Sequence, residues 1–202
     1  AVDFLKKNLN RKYKNDFLEC EAKLAVLVWQ QSPWRQSIPE IIFLNDILPF
    51  TSLTEEGDDF RGCSDEGKTF YNFMINIVEE CDNVTCAVEK LNREAWSFTN
   101  PPIKYAPGGS GGGLNAYGLY DVIRKKRSSC TGLSIFLVSA LRSVGIPARI
   151  AGTPHWNRGP HQCPHGDMDD ACGNHNWVEA YIPDPPFQGW LMVDQANLKS
   201  LA

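Results

Sequence analysis

Three residues in the second half of the chain have the types needed for nucleophilic catalysis at a carbonyl group: Cys130, His175 and Asp194. Such catalysis needs a nucleophile, a base within hydrogen-bond reach of it, and a third group that fixes the tautomer of the base. A cysteine, a histidine and an aspartate supply those roles. The alternative interpretation is structural: a buried or disulfide-bonded cysteine, a strand histidine and a turn aspartate.

A helix predicted over residues 129–144 positions Cys130. Its apolar residues recur at helical spacing, Ser129 or the serine before it can cap the start, and Gly145 followed by Pro147 ends it. Cys130 then lies in the first turn, where unpaired backbone N–H groups and the helix dipole stabilise a thiolate. The N–H of Cys130 is also a natural donor to the oxyanion of a tetrahedral intermediate.

A small antiparallel sheet is predicted to position His175 and Asp194. Its strands are the segments ARIAG (148–152), NHNWVEAYI (174–182) and GWLMVD (189–194). A hairpin turn centred between residues 184 and 185 pairs Ile182 with Phe187. The same register sets His175 opposite Asp194, so that the carboxylate can hold the imidazole.

The first half of the chain is predicted to be helical, with apolar residues at helical spacing around 17–28, 70–78 and 84–96. The segment 33–67 is predicted to form loops and brief helices on the surface, and NPPIKYAPGGSGGG (100–113) a long loop beside a cleft. The length of 202 residues fits one domain. We therefore predict an α+β fold in a single domain, with a helical part and glycine-rich loop over 1–113 and a catalytic core over 114–202.

Composition restricts the partners and the compartment. The net charge is −4 and the one basic run, RKKR at 124–127, is short, which excludes a nucleic-acid partner. No stretch has the roughly 20 apolar residues of a membrane span, and the first residues do not resemble a secretory signal. Seven cysteines favour an oxidising compartment, so we expect a secreted or extracytoplasmic protein.

Three blocks in the second half resemble the transglutaminase-like superfamily, particularly its microbial members: SSCTGLSIFLVSALRSVGIPARIAGTP, GNHNWVEAYIP and GWLMVDQAN. The resemblance implies a papain-like core with Cys130 on the central helix and His175 and Asp194 on the packed sheet. It also implies acyl transfer, in which the thiolate attacks a carboxamide of a protein or peptide and forms a thioester. A primary amine or water then resolves the thioester, and the resemblance implies no cofactor.

The alternatives to a transglutaminase-like transferase are a cysteine peptidase or amidase, and a non-catalytic interaction domain that retains the fold. In mammalian-type relatives a tryptophan upstream of the nucleophile helps to bind the oxyanion, and Trp96 is at a comparable distance. A core or surface role is nevertheless the favoured interpretation of Trp96. The chain departs from many relatives at Ser128, where they have glycine, and at Thr131, where they have an aromatic residue.

An inserted stretch at 157–172 contains potential metal ligands. His161, Cys163, His165 and Cys172 have the atom types of a zinc site, but their spacing is loose and a disulfide between the two cysteines is favoured. A calcium site is also disfavoured, because the ligand spacing of a calcium loop is missing at Asp167, Asp169 and Asp170. We predict no metal. The remaining cysteines are expected to form structural bridges of undetermined pairing: Cys20, Cys63, Cys81 and Cys86.

Overall fold

The computed structural model describes residues 1–9, 11–106, 118–154, 156, 174–186 and 188–193. The helices are α1 (Val2–Asn8), α2 (Asn15–Gln31), α3 (Glu40–Asp46), α4 (Asp65–Val78), α5 (Val84–Glu94), α6 (Leu119–Lys125) and α7 (Cys130–Ser143), with 3-10 turns at Arg35–Ser37 and Ala95–Phe98. The strands are β1 (Lys104–Tyr105), β2 (Arg127–Ser128), β3 (Ala148–Thr153), β4 (His175–Ile182) and β5 (Gly189–Val193). The predicted α+β fold is confirmed.

Helix α7 lies at the centre of the molecule. Every one of its residues except Thr131 is buried, and it packs against α4, α5 and α6 as well as the sheet. The predicted helix over 129–144 is therefore confirmed. A helix buried on all sides has no polar face, which explains why its sequence is apolar almost throughout.

The segment 33–67 contributes to the core, and the prediction that it packs on the surface is wrong. Trp34, Phe43, Phe50 and Phe60 are all buried in the same apolar cluster as α7. The indole N–H of Trp34 donates to the carbonyl of Gly145 at 2.9 Å, just beyond the end of α7. Large apolar side chains anchor this irregular segment to the core, although their spacing in the sequence is not periodic.

Arg142, near the C-terminal end of α7, joins this segment to the sheet. Its guanidinium donates to the carbonyl oxygens of Pro49 (3.0 Å), Thr51 (2.8 Å) and Ala148 (2.9 Å). Burial lowers the pKa of Arg142 to about 10, which leaves it charged at neutral pH. A cation at this end of the helix also complements the helix dipole.

The three-stranded sheet has the order β3-β4-β5 and is antiparallel throughout. Ile182 pairs with Gly189, and the described pairing of β4 with β5 ends at Val178 and Val193. The predicted pairing of Ile182 with Phe187 is therefore wrong, because the turn is longer than predicted. The same shift of two residues means that the predicted register, which set His175 opposite Asp194, is wrong as well. Asp184, in this turn, accepts hydrogen bonds from the N–H and hydroxyl of Thr85, so the hairpin is attached to the start of α5.

Two disulfides lie in the described part of the chain. Cys20 in α2 is bonded to Cys63, and Cys81 is bonded to Cys86 across the turn between α4 and α5. Cys130 belongs to neither bridge. The expectation of structural bridges among the four upstream cysteines is confirmed.

None of the helices in the described ranges combines the length and the apolar composition that crossing a membrane requires.

Candidate active site

Cys130 is the first residue of α7, as predicted, and it is 8% exposed. Ser129 is the N-cap residue, but its side chain makes no capping hydrogen bond. The amide N–H groups of a first helical turn have no carbonyl partner within the helix, and they point out of its N-terminal end. The sulfur of Cys130 is therefore attached at the end of the helix where the helix dipole favours negative charge.

His175 is the first residue of β4 and pairs with Thr153 of β3. Only 8% of it is exposed, partly because the ring of Trp156 lies 4.5 Å from its ring, centroid to centroid. The ring of Trp177 lies 6.2 Å away. Trp156 itself is 47% exposed, so an indole partly covers the imidazole at the surface of the protein.

A direct hydrogen bond joins the two elements that carry Cys130 and His175. The side-chain amide of Asn176 donates from Nδ2 to the hydroxyl oxygen of Thr131 at 2.6 Å. Each of these residues directly follows one of the two candidates, and consecutive Cα atoms are about 3.8 Å apart. The start of α7 and the start of β4 are thus in contact at the candidate site.

Tyr105 is a further candidate site residue, which the sequence did not indicate. The parallel pairing of β1 with β2 sets Tyr105 beside Ser128, and the N–H of Ala106 donates to the carbonyl of Ser128 at 2.8 Å. Partial burial raises the pKa of the Tyr105 phenol, and a negative charge at Cys130 raises it further. The phenol therefore stays protonated at neutral pH, on a residue that pairs two positions before Cys130 and remains half exposed.

Trp96 is a core residue in this structure. It is 4% exposed, stacks on Phe136 of α7 with ring centroids 5.3 Å apart, and donates its indole N–H to the carbonyl of Asn92 at 2.5 Å. These contacts agree with the core interpretation. An indole N–H already bonded inside the core is poorly placed to meet a substrate.

Asp194 and the inserted stretch that holds His161, Cys163, His165 and Cys172 lie outside the described residues, as do Asp167, Asp169 and Asp170. Their predicted roles stay predictions. The described strand β5 ends at Val193, directly before Asp194 in the chain. Within the described ranges, one group of side chains, Glu21, Asp59 and Cys63, has the spacing of metal ligands. Cys63 is in a disulfide and Glu21 accepts a hydrogen bond from the Arg61 guanidinium at 2.8 Å, so this group does not suit a metal.

The family assignment follows from a comparison with protein families. A model described as the transglutaminase-like superfamily matches residues 73–195, more than half of the chain. The chain therefore belongs to the transglutaminase-like superfamily. A search of curated protein sequences found no match.

One comparison with a solved structure supports the fold. The chain is similar to a candidate cysteine protease from Cytophaga hutchinsonii, with 17% identity and a TM-score of 0.50 over 83% of this chain and 49% of that one. It is also similar to the periplasmic domain of TgpA from Pseudomonas aeruginosa, with 20% identity and a TM-score of 0.45 over 85% of this chain and 51% of that one. The chain spans about half the length of these structures.

Proposed function

We propose that the protein carries out cysteine-dependent acyl transfer or hydrolysis at amide bonds through a thioester on Cys130. The observation that carries the proposal is the hydrogen bond between Thr131 and Asn176, which joins the start of α7 to the start of β4 at the two candidate residues. Membership of a superfamily of mostly cysteine-dependent enzymes supports it.

In the proposed reaction, the Cys130 thiolate attacks the carbon of a carboxamide and forms a tetrahedral oxyanion. His175 donates a proton to the departing nitrogen as the carbon–nitrogen bond breaks, which leaves a thioester on the sulfur. His175 then takes a proton from an incoming amine or water molecule, which attacks the thioester and regenerates the thiolate. Asp194 is proposed to hold the imidazole of His175 in the productive tautomer.

Two donors are proposed for the oxyanion. The backbone N–H of Cys130 belongs to the first turn of α7, where N–H groups point out of the N-terminal end of the helix. The second proposed donor is the phenol of Tyr105, because this half-exposed residue pairs with Ser128, two positions before Cys130, and its hydroxyl stays protonated at neutral pH. Tyr105 takes the role that the sequence analysis considered for Trp96.

The proposed substrate is a carboxamide in a protein or peptide, and the resolving group is a primary amine or water. A peptidase is the second candidate, favoured by the fold similarity to a candidate cysteine protease. An extracytoplasmic location is proposed on the strength of the two disulfides, which are rare in a reducing cytosol.

The test is an incubation with a library of glutamine-containing peptides, with and without a dansylated primary amine, followed by mass spectrometry. A dansyl conjugate identifies a transferase, conversion of glutamine to glutamate identifies a deamidase, and shortened peptides identify a peptidase. We expect Cys130→Ala to abolish the product. Ser129→Ala is the matched control, since the Ser129 side chain makes no capping hydrogen bond.

Iodoacetamide labelling decides between an enzyme and an interaction domain. An activated thiol reacts faster than a model thiol and slows on His175→Ala. Absence of all three products, together with labelling of Cys130 no faster than that of a model thiol, would contradict the proposed function and favour an interaction domain.

A further inference from the structure

Thr131 differs from the rest of α7. It is half-buried, whereas the 13 other residues of the helix are buried in the core. Its hydroxyl accepts the hydrogen bond from Asn176 across the gap between helix and sheet.

Asn176 is placed for this contact by the alternation of β4. Side chains two residues apart in a strand share a face, so Asn176 lies on the same face as Val178 and Ala180. Those two residues are fully buried, and β4 packs against α7. The amide of Asn176 therefore lies on the buried face of the strand, next to the first turn of the helix. At this edge of the core the strand contacts the helix through a hydrogen bond.

Gly152 makes room for that amide. It pairs with Asn176 across β3 and β4. A Cβ atom at Gly152 would overlap the side-chain oxygen of Asn176 and would lie 3.0 Å from the carbonyl oxygen of His175. The missing side chain at Gly152 thus leaves space for the amide of Asn176, and that amide reaches from the sheet to Thr131 of the helix.

We propose that Asn176 is a positioning residue of the catalytic centre, which fixes His175 relative to Cys130 through its hydrogen bond to Thr131. This inference rests on the proposed function. The hydrogen bond lies one peptide unit from each candidate, so its loss lets the start of β4 move relative to the start of α7. Misplacement of a catalytic group by about 1 Å can reduce a rate about 10²-fold.

The experiment measures the rate of alkylation of Cys130 by iodoacetamide at pH 7 in the intact chain. Thr131→Val removes the acceptor with little change of shape, and Asn176→Ala removes the donor from the other element. We expect each variant to label at least about tenfold more slowly than the wild type. Thr131→Ser keeps the hydroxyl and is expected to label within about twofold of the wild type. Thermal unfolding confirms that each variant is folded.

A double-mutant cycle shows whether the effect passes through His175. In a His175→Ala background we expect Thr131→Val and Asn176→Ala to cause no further slowing. Thr85→Val is the matched control, since it removes a hydroxyl hydrogen bond that attaches the hairpin to α5, beyond the other end of β4. It is expected to leave the labelling rate unchanged.

Two results would overturn the inference alone: unchanged labelling in folded Asn176→Ala and Thr131→Val, or equal slowing with and without His175. Wild-type labelling no faster than a model thiol and insensitive to His175→Ala would instead overturn the proposed function, and the inference with it.

Discussion

The carboxylate of Asp59 organises the turn that precedes α4. Its Oδ1 accepts hydrogen bonds from the amides of Arg61 (3.0 Å) and Gly62 (2.9 Å). Its Oδ2 accepts from the amide of Ser64 and from the Ser64 hydroxyl (2.7 Å). Ser64 in turn caps α4 by accepting from the N–H of Gly67. A single buried carboxylate therefore receives four hydrogen bonds.

Asp59→Asn keeps the shape of the side chain but replaces one acceptor oxygen with a donor. If the new NH₂ group occupies the Oδ2 position, neither the amide nor the hydroxyl of Ser64 can donate to it, so two hydrogen bonds are lost. The other two lose their charge assistance. Charged hydrogen bonds contribute about 1.5–3 kcal/mol each and neutral ones about 1, so we expect two lost bonds and two weakened ones to reduce the free energy of unfolding at pH 7 by at least about 4 kcal/mol.

The loss is expected to depend on pH. Burial acts to raise the pKa of Asp59, but the hydrogen bonds from Gly62, Ser64 and neighbouring groups outweigh it, so the folded-state pKa lies below the ordinary value. A depressed pKa means that the carboxylate stabilises the fold above about pH 4, and that this contribution disappears as the pH falls through the folded-state pKa. The difference between wild type and Asp59→Asn therefore shrinks on acidification.

Urea unfolding followed by tryptophan fluorescence at pH 7, 5 and 3 measures this difference. Asp65→Asn is the control, because Asp65 is a nearby carboxylate whose side chain is fully exposed in its ion pair with Lys68, and exposed pairs contribute little. A loss below about 0.5 kcal/mol at pH 7, or a loss that stays constant down to pH 3, would refute the hydrogen-bond argument.

Three further predictions concern the site and the stability of the fold. Tyr105→Phe removes a proposed oxyanion donor and is expected to lower kcat in the amine-incorporation assay about 10²-fold with little change in KM, whereas Trp96→Phe leaves kcat nearly unchanged. Burial raises the pKa of Glu21 from 4.5 to about 8, because the lowering effect of Arg61 beside it is smaller than the effect of burial. The melting temperature is therefore expected to fall as the pH rises from about 5 to about 8, and Glu21→Gln to remove that fall. Replacing both cysteines of a disulfide by serine is expected to cost about 4 kcal/mol for Cys20–Cys63 and about 2 for Cys81–Cys86 in urea unfolding, because loop-closure entropy grows with chain separation; the separations are 43 and 5 residues.

Each of these predictions has an opposing outcome. A loss of kcat in Trp96→Phe but not in Tyr105→Phe would return the donor role to Trp96. A wild-type melting temperature that rises between pH 5 and 8 would mean that Glu21 is ionised beside Arg61. Equal costs for the two disulfides would mean that loop closure does not set their contribution.

Periodicity in the sequence predicted the elements that carry the site. The apolar spacing of α7 and its Gly145 end gave the helix that begins at Cys130, and Gly145 has the positive φ of 79° that suits a glycine. The alternation of β4 gave the strand that begins at His175. Each pattern repeats over several residues, and the packing of α7 against β4 agrees with both.

The register of the hairpin could not be predicted from its length. Pro185 and Pro186 have no N–H to donate to a ladder, so the turn extends past them before pairing resumes. It resumes at Gly189, whose φ of 153° few other residues adopt readily. A sequence shows where prolines lie, but it does not show how many residues a chain uses to pass them.

Tyr105 was missed for a related reason. It lies in a two-residue strand that pairs with another two-residue strand 23 positions further along the chain, too short for any periodicity to appear. The same holds for the buried aromatic residues of 33–67, which enter the core one at a time. Such contacts depend on packing between residues that are far apart in the sequence.

The assignment of residues 1–202 to a single domain stays a prediction.

Arg142 has a practical consequence for anyone who wishes to shorten the protein. The region that matches the family begins at residue 73, yet two of the three carbonyl groups that receive the Arg142 guanidinium belong to Pro49 and Thr51. Trimming to the matching region would strand a cation in the interior and would also remove the Trp34 indole from the carbonyl of Gly145. Expression plasmids for catalytic work therefore need the N-terminal residues, even though no candidate catalytic group lies among them.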